Sequence, residues 1–452
     1  MRTRIIAALL RLAVAAALLP FALDWRSPFL AGIRPSALAA LIVVPVALVV
    51  IAIAALRRSR AQPAALRLLN AVALMLAALA LISTVALEAR FRVIRQQVLD
   101  ADAEELEKLG RHLIVGYDDL DEIRALIRRR AVAGVFIAAR NVRGLSAAEV
   151  KQLVATLQDI RHGENVPPLW IAADQEGGDV SRLSPPLARP PLLSEILARH
   201  SDPAERPAAM RQFALAQGRE LADLGVNLNF APVIDLDRGL VNPDDRLTRI
   251  HQRAISADPG VVAETGGAYC DGLWEAGVRC TLKHFPGLGR VFADTHRGGA
   301  SLAVATSELE RTDWVPFRAL MGRPQAFMML GHVTLDTFDR THPVSFSRPV
   351  VGDLLRGTWR YDGVLITDDF SMGAVYRSRE GIAGASVEAI NAGIDLILVS
   401  YDTDQYYAAM HALLAADRDG RLQQQALRQS DRRLNRAVPP GGAPQGSGAP
   451  SQ

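Results

Sequence analysis

Two stretches of twenty residues carry no charge at all: residues 37–56 (ALAALIVVPVALVVIAIAAL) and 68–87 (LLNAVALMLAALALISTVAL). The hydrocarbon core of a bilayer takes a helix of about 20 apolar residues, and a helix buried in a water-soluble domain rarely runs so far without a charged face. Both are expected to span a membrane. Residues 5–23 are a third candidate, broken by Arg11 and, near the end, by Pro20. A signal peptide is the competing reading there, but Asp24-Trp25-Arg26 follows and supplies no small-residue cleavage site, so three spans are expected.

Charge divides the chain at the same place. The 452 residues sum to +3, yet residues 1–99 hold 12 Arg, no Lys and only Asp24 and Glu88 as acids. The remaining 353 residues hold 39 basic and 46 acidic groups. The basic excess therefore flanks the apolar helices and does not form a nucleic-acid surface, so no nucleic-acid partner is expected and membrane lipid is. Arg57, Arg58, Arg60 and Arg67 crowd the link between the second and third spans, which the positive-inside rule puts in the cytoplasm. The rest of the chain then emerges on the outer, periplasmic side of the inner membrane. Residues 1–94 read as a membrane region. Residues 95–109 (RQQVLDADAEELEKL) read as a charged helical stalk with Glu104 and Lys108 one turn apart, and 439–452, with four Pro and four Gly, as a disordered tail.

Between them, residues 110–438 alternate short apolar runs with amphipathic stretches. Strands are expected at 112–117, 134–139, 169–174, 227–233, 279–285, 326–332, 363–369 and 395–400, each followed by a helical segment. Eight strand–helix repeats over about 330 residues describe a (β/α)8 barrel of the TIM type. A doubly wound open sheet competes, but no G-x-G-x-x-G follows the first strand. Reactive side chains gather where the strands end: Asp174-Gln175-Glu176, Lys283-His284, Gly331-His332 and Asp368-Asp369. In a barrel these ends meet on the face where active sites are built.

The sequence has no H-E-x-x-H or C-x-x-C metal motif, no P-loop and no G-x-S-x-G elbow, so neither metal nor cofactor is expected. Carboxylates and one His–Asp pair remain, the equipment of acid/base work on an ether-like bond. In Asp294-Thr295-His296 a carboxylate can bond one ring nitrogen and leave the other free to move a proton. Asp368 and Asp369 are adjacent on a strand, so one can face the barrel mouth while the other braces a loop. The two cysteines, Cys270 and Cys280, are expected to be buried free thiols rather than a bridge, though an oxidising compartment would permit one.

These residues carry a resemblance. DQEGGDVSRL (174–183), NLNFAPVIDLD (227–237), RAISADP (253–259), KHFPGLGRVFADTH (283–296) and GVLITDDFSM (363–372) resemble glycoside hydrolase family 3, in its single-domain β-N-acetylglucosaminidase branch. The resemblance covers about 110–436 and none of the first hundred residues. It implies a retaining, exo-acting β-N-acetylglucosaminidase that removes terminal N-acetylglucosamine from peptidoglycan-type glycans through a glycosyl-enzyme. It also implies roles for individual residues: Asp368 as nucleophile, His296 as general acid/base oriented by Asp294, and Asp174, Arg253, Lys283 and His284 as hydrogen-bonding partners of the sugar. Where other family members take the acid from a second domain, the His–Asp loop is expected to serve here. Three positions depart from the family pattern: Leu288 stands for the usual His, Asp179 for a basic residue, and Thr295 for Ser. His332 and Arg182 are read as supporting residues and Met372 as packing. A β-glucosidase, another β-hexosaminide hydrolase or phosphorylase, and an inactive wall-binding protein stay open as alternatives.

Overall fold

The computed structural model describes residues 2–58, 63–163, 166–200 and 202–438. The tail expected to be disordered, 439–452, lies outside the described residues. The chain divides into two compact units, one up to Asp100 and one from Ala101 onward.

The first unit is three helices, α1 (Arg2–Leu23), α2 (Arg34–Arg57) and α3 (Ala64–Leu99), all long and apolar enough to cross a membrane. Small residues let them approach: Ala15 of α1 and Ala77 of α3 meet Leu48 of α2, and Ala22 and Ala80 meet Trp25 and Leu41. Arg11, the charge inside the first apolar run, is satisfied across the bundle. Its Nη2 donates to Asn70 Oδ1 at 2.7 Å, and the Asn70 amide in turn donates to the Leu66 carbonyl.

The second unit opens with α4 (Ala103–Gly110). The single solvated helix expected over 95–109 is thus corrected to two: 95–99 complete α3, the helix is interrupted at 100–102, and Asp102 caps α4 through the Glu104 and Glu105 amides. The reason is apolar. Leu106 and Leu109 are buried, and Lys108 and Glu105 pair with Asp417 and Arg418, so α4 packs as part of this unit.

Among the described residues, eight parallel strands make the barrel: β1 (Leu113–Val115), β2 (Gly134–Phe136), β3 (Trp170–Ala173), β4 (Leu228–Asn229), β5 (Cys280–Phe285), β6 (Ala326–Leu330), β7 (Leu365–Asp369) and β8 (Leu396–Val399). They pair in the order β4-β3-β2-β1-β8-β7-β6-β5, and bridges Leu228–Arg279 and Val233–Lys283 bring β4 back to β5. Alternate residues point inward and fill the interior, among them Trp170 and Ala172, Leu228 and Phe230, Phe327 and Met329, Leu396 and Leu398. Trp170 meets Phe327 edge-on at 5.1 Å, and Phe136 stacks on Phe230 at 5.8 Å. Leu434, from the closing helix Gln424–Arg436, joins this cluster, and Arg433 binds Asp395 just before β8. That end is plugged; the chemistry sits at the other.

The cysteines correct the expectation of free thiols: Cys270 and Cys280 form a disulfide. Helix α5 (Pro259–Glu275) ends and Gly277, at φ 83°, reverses the chain straight into β5. The last turns of the helix therefore lie against the first residue of the strand, with the two Cα atoms 5.3 Å apart and both side chains fully buried.

Candidate active site

Two strand ends are irregular. The pairing of β5 with β6 shifts register between Leu282 and Phe285, and that of β7 with β8 between Ile366 and Asp369. Such shifts re-aim side chains. Lys283 and His284 come from the first, Asp368 and Asp369 from the second.

Lys283 is buried between two carboxylates, with Nζ 2.8 Å from Asp174 Oδ1 and 2.6 Å from Glu176 Oε1. Arg253 grips Glu176 with both arms, Nε to Oε2 at 2.8 Å and Nη2 to Oε1 at 2.6 Å. Burial alone would favour neutral Glu176, but Arg253 and Lys283 outweigh it and hold the carboxylate well below its usual range. A polar relay fixes the turn that carries it: Asn229 accepts the Gln175 amide, and the Gln217 amide donates to the Gln175 carbonyl. Asp174, Arg253 and Lys283 thus fall into one cation–carboxylate cluster. Glu176, its buried centre, was legible only as part of the D-Q-E strand end.

His284 sits beside it, its Nδ1 2.7 Å from Asp235 Oδ2. Asp235 is fully buried and also accepts the amides of His284 and Leu288. Sequence reading passed over it, although it lies inside the NLNFAPVIDLD stretch. Leu288, in place of the usual His, is buried and offers its backbone to Asp235.

Asp369 is the brace of the acidic pair. Its Oδ2 accepts from Ser400 Oγ at 2.7 Å and the Tyr401 amide at 2.8 Å, and its Oδ1 from the amides of Ser371 and Ser400. Asp368 makes none of these contacts; its Oδ1 accepts the Asp369 amide at 2.8 Å. Burial would raise its pKa, but the charges of His284, His332 and His296 and that amide hold it down to about 2. His332 is fully buried and clamped between Ser345 Oγ and the Asp369 carbonyl, with burial lowering its pKa.

His296 stands on the loop after β5. Asp294 Oδ1 accepts from its backbone amide at 3.0 Å and lies 3.1 Å from its Nδ1. The loop is fastened to the segment after β7: the Gly373 amide donates to the His296 carbonyl at 2.8 Å, and that of Ala374 to the Thr295 carbonyl at 3.2 Å. Only glycine fits at 373, where a Cβ would come within 2.5 Å of the Arg297 backbone. So the imidazole is tied to the strand end that carries Asp368, and Asp368 feels its charge. Arg182 and Asp179 are exposed at the rim, the latter near Arg189 and Arg249.

An ionised carboxylate, a carboxylate-buttressed imidazole and a cluster of donors suited to hydroxyl groups, at the C-terminal ends of the strands of a nearly closed barrel, define a class: a barrel enzyme equipped to cleave glycosidic bonds. The model of the glycosyl hydrolase family 3 N-terminal domain matches residues 100–437. Beta-hexosaminidase LpqI of Mycobacterium tuberculosis is 32% identical over 335 residues, covering 72% of this chain and 80% of its own. A beta-hexosaminidase of Pseudomonas aeruginosa is 36% identical, covering 65% and 82%. The solved family 3 beta-N-acetylglucosaminidase of a Paenibacillus species superposes with a TM-score of 0.66 at 34% identity, covering 75% of this chain and 64% of that longer one. The chain belongs to glycosyl hydrolase family 3 and is a glycoside hydrolase.

Proposed function

We propose that this enzyme is a retaining, exo-acting β-N-acetylglucosaminidase. The observation that carries the reading is the pairing of an ionised, solitary Asp368 with the loop-borne His296–Asp294 pair at one barrel mouth. In the first step an Asp368 oxygen attacks the anomeric carbon, the bond from that carbon to the leaving oxygen breaks, and His296 Nε2 gives its proton to that oxygen. In the second, water attacks the same carbon and yields a proton to His296, and the bond to Asp368 breaks. The sum is glycoside plus water giving sugar plus alcohol, with configuration retained. Asp174, Lys283, Arg253 and His284 hold the terminal sugar, with Glu176 and Asp235 aligning them.

The three apolar helices anchor the enzyme in the inner membrane with the barrel on the periplasmic side. The arginines around the α2–α3 link favour that topology, and so does the disulfide, because such bonds persist in oxidising compartments. Peptidoglycan-type glycans, which the resemblance implies, would be in reach there. The test is hydrolysis of an aryl N-acetyl-β-D-glucosaminide against the matching β-D-glucoside. The N-acetylated substrate should be strongly preferred and Asp368→Ala should abolish turnover. Preference for the plain glucoside would contradict the sugar assignment, and full activity in the variant would contradict the nucleophile.

A further inference from the structure

The loop that follows β4 carries Thr248 into the back of the His296–Asp294 pair. Its side chain is buried, with Oγ1 3.2 Å from Asp294 Oδ1 and 3.2 Å from His296 Nδ1. The turn beneath is fixed: Asp245 accepts the amides of Thr248 and Arg249 at 2.8 Å each. The Thr248 carbonyl accepts from Arg253 Nη1 at 2.8 Å, so the same residue touches the cation of the Glu176 cluster. On the other side of Asp294, Oδ2 is buried with no hydrogen-bond partner among the described residues, and Arg297 Nε lies 4.0 Å away. The orientation of this carboxylate therefore depends on what reaches Oδ1.

We propose that Thr248 is the positioning residue of the acid/base pair. Its O–H donates to Asp294 Oδ1 and turns that oxygen toward the ring, so His296 Nδ1–H points back at Asp294 and Nε2 is presented to the leaving oxygen. Through its carbonyl the same residue ties this alignment to Arg253. The inference rests on His296 being the acid/base.

Leaving groups separate positioning from packing, because a strongly acidic phenol departs without a proton and an unsubstituted phenol does not. The full chain in detergent micelles is assayed on aryl N-acetyl-β-D-glucosaminides from dinitrophenyl to phenyl, as wild type, Thr248→Val, Thr248→Ser and His296→Ala. Thr248→Val should lose about tenfold or more in kcat/KM on the phenyl substrate, as expected for a lost bond to a charged group, and little on the dinitrophenyl one. Thr248→Ser, which keeps the hydroxyl, should restore the phenyl rate. Wild-type rates in Thr248→Val, or an equal loss on every substrate, overturns the inference. Should the valine variant not fold, Thr248→Ala, which also removes the donor, must give the same leaving-group pattern, and its absence overturns the inference too. If His296→Ala itself shows no leaving-group dependence, the acid/base assignment fails instead.

Discussion

Asp368 and Asp369 are neighbours in sequence with opposite work. Asp369 is saturated by four donors from Ser371, Ser400 and Tyr401, and it fixes the turns that follow β7 and β8. Asp368 is left to three histidines, which hold its pKa down from 3.8 to about 2. A depressed carboxylate stabilises the fold fully above its unfolded value, and that contribution is lost only as pH falls through its folded one. The same shift keeps Asp368 ionised in mild acid. On the dinitrophenyl substrate kcat/KM should therefore stay flat from neutrality to about pH 4, whereas a free carboxylate would by then have lost close to half of its charged form. A half-loss at that pH would mean that the histidines do not act on Asp368. The sequence made the reactive residues legible because strand ends are visible in it. It did not show what holds them: Glu176, Asp235 and Thr248 reach their partners across 77, 49 and 46 positions, and no local pattern records such distances.

At the scale of elements, all eight strands were readable, since a barrel strand buried on both faces is a bare apolar run. Their lengths were not. The run 227–233 pairs as a regular strand only at Leu228–Asn229, because Pro232 cannot donate to a ladder. The stalk and the disulfide escaped for a related reason: both are settled by packing between elements, which composition does not report. The loop that bears His296 shows how tightly elements fit here. It is pinned to the chain after β7 at Gly373, and Arg290 near its start pairs with the buried Asp313. Gly373→Ala puts a methyl group into the Arg297 backbone and must push the loop off. A displacement on the order of 1 Å at a reacting group costs about 100-fold, so the phenyl substrate should slow by that factor while the melting temperature changes little. An unchanged rate would show that the loop does not need this contact.

At the scale of the molecule, two units are joined in one chain: a helical bundle suited to lipid and a barrel suited to a glycan. Placing the barrel outside makes a chemical prediction. Alkylation of the protein from cells quenched in acid and then denatured, before and after reduction, should block Cys270 and Cys280 only after the reductant is added; two free thiols without it would put the barrel in the cytoplasm. Everything else depends on Asp368 becoming covalently linked to the sugar while His296 stands on the other side of the bond. On the proposed mechanism His296→Ala should still accept an activated substrate but lack the base that helps water release the product, so the intermediate should accumulate. Peptide mapping by mass spectrometry of that variant, quenched during turnover of the dinitrophenyl N-acetyl-β-D-glucosaminide, should find one N-acetylglucosaminyl group on Asp368. The same group on another residue, or an unmodified enzyme under a continuing burst of phenol, would contradict the account.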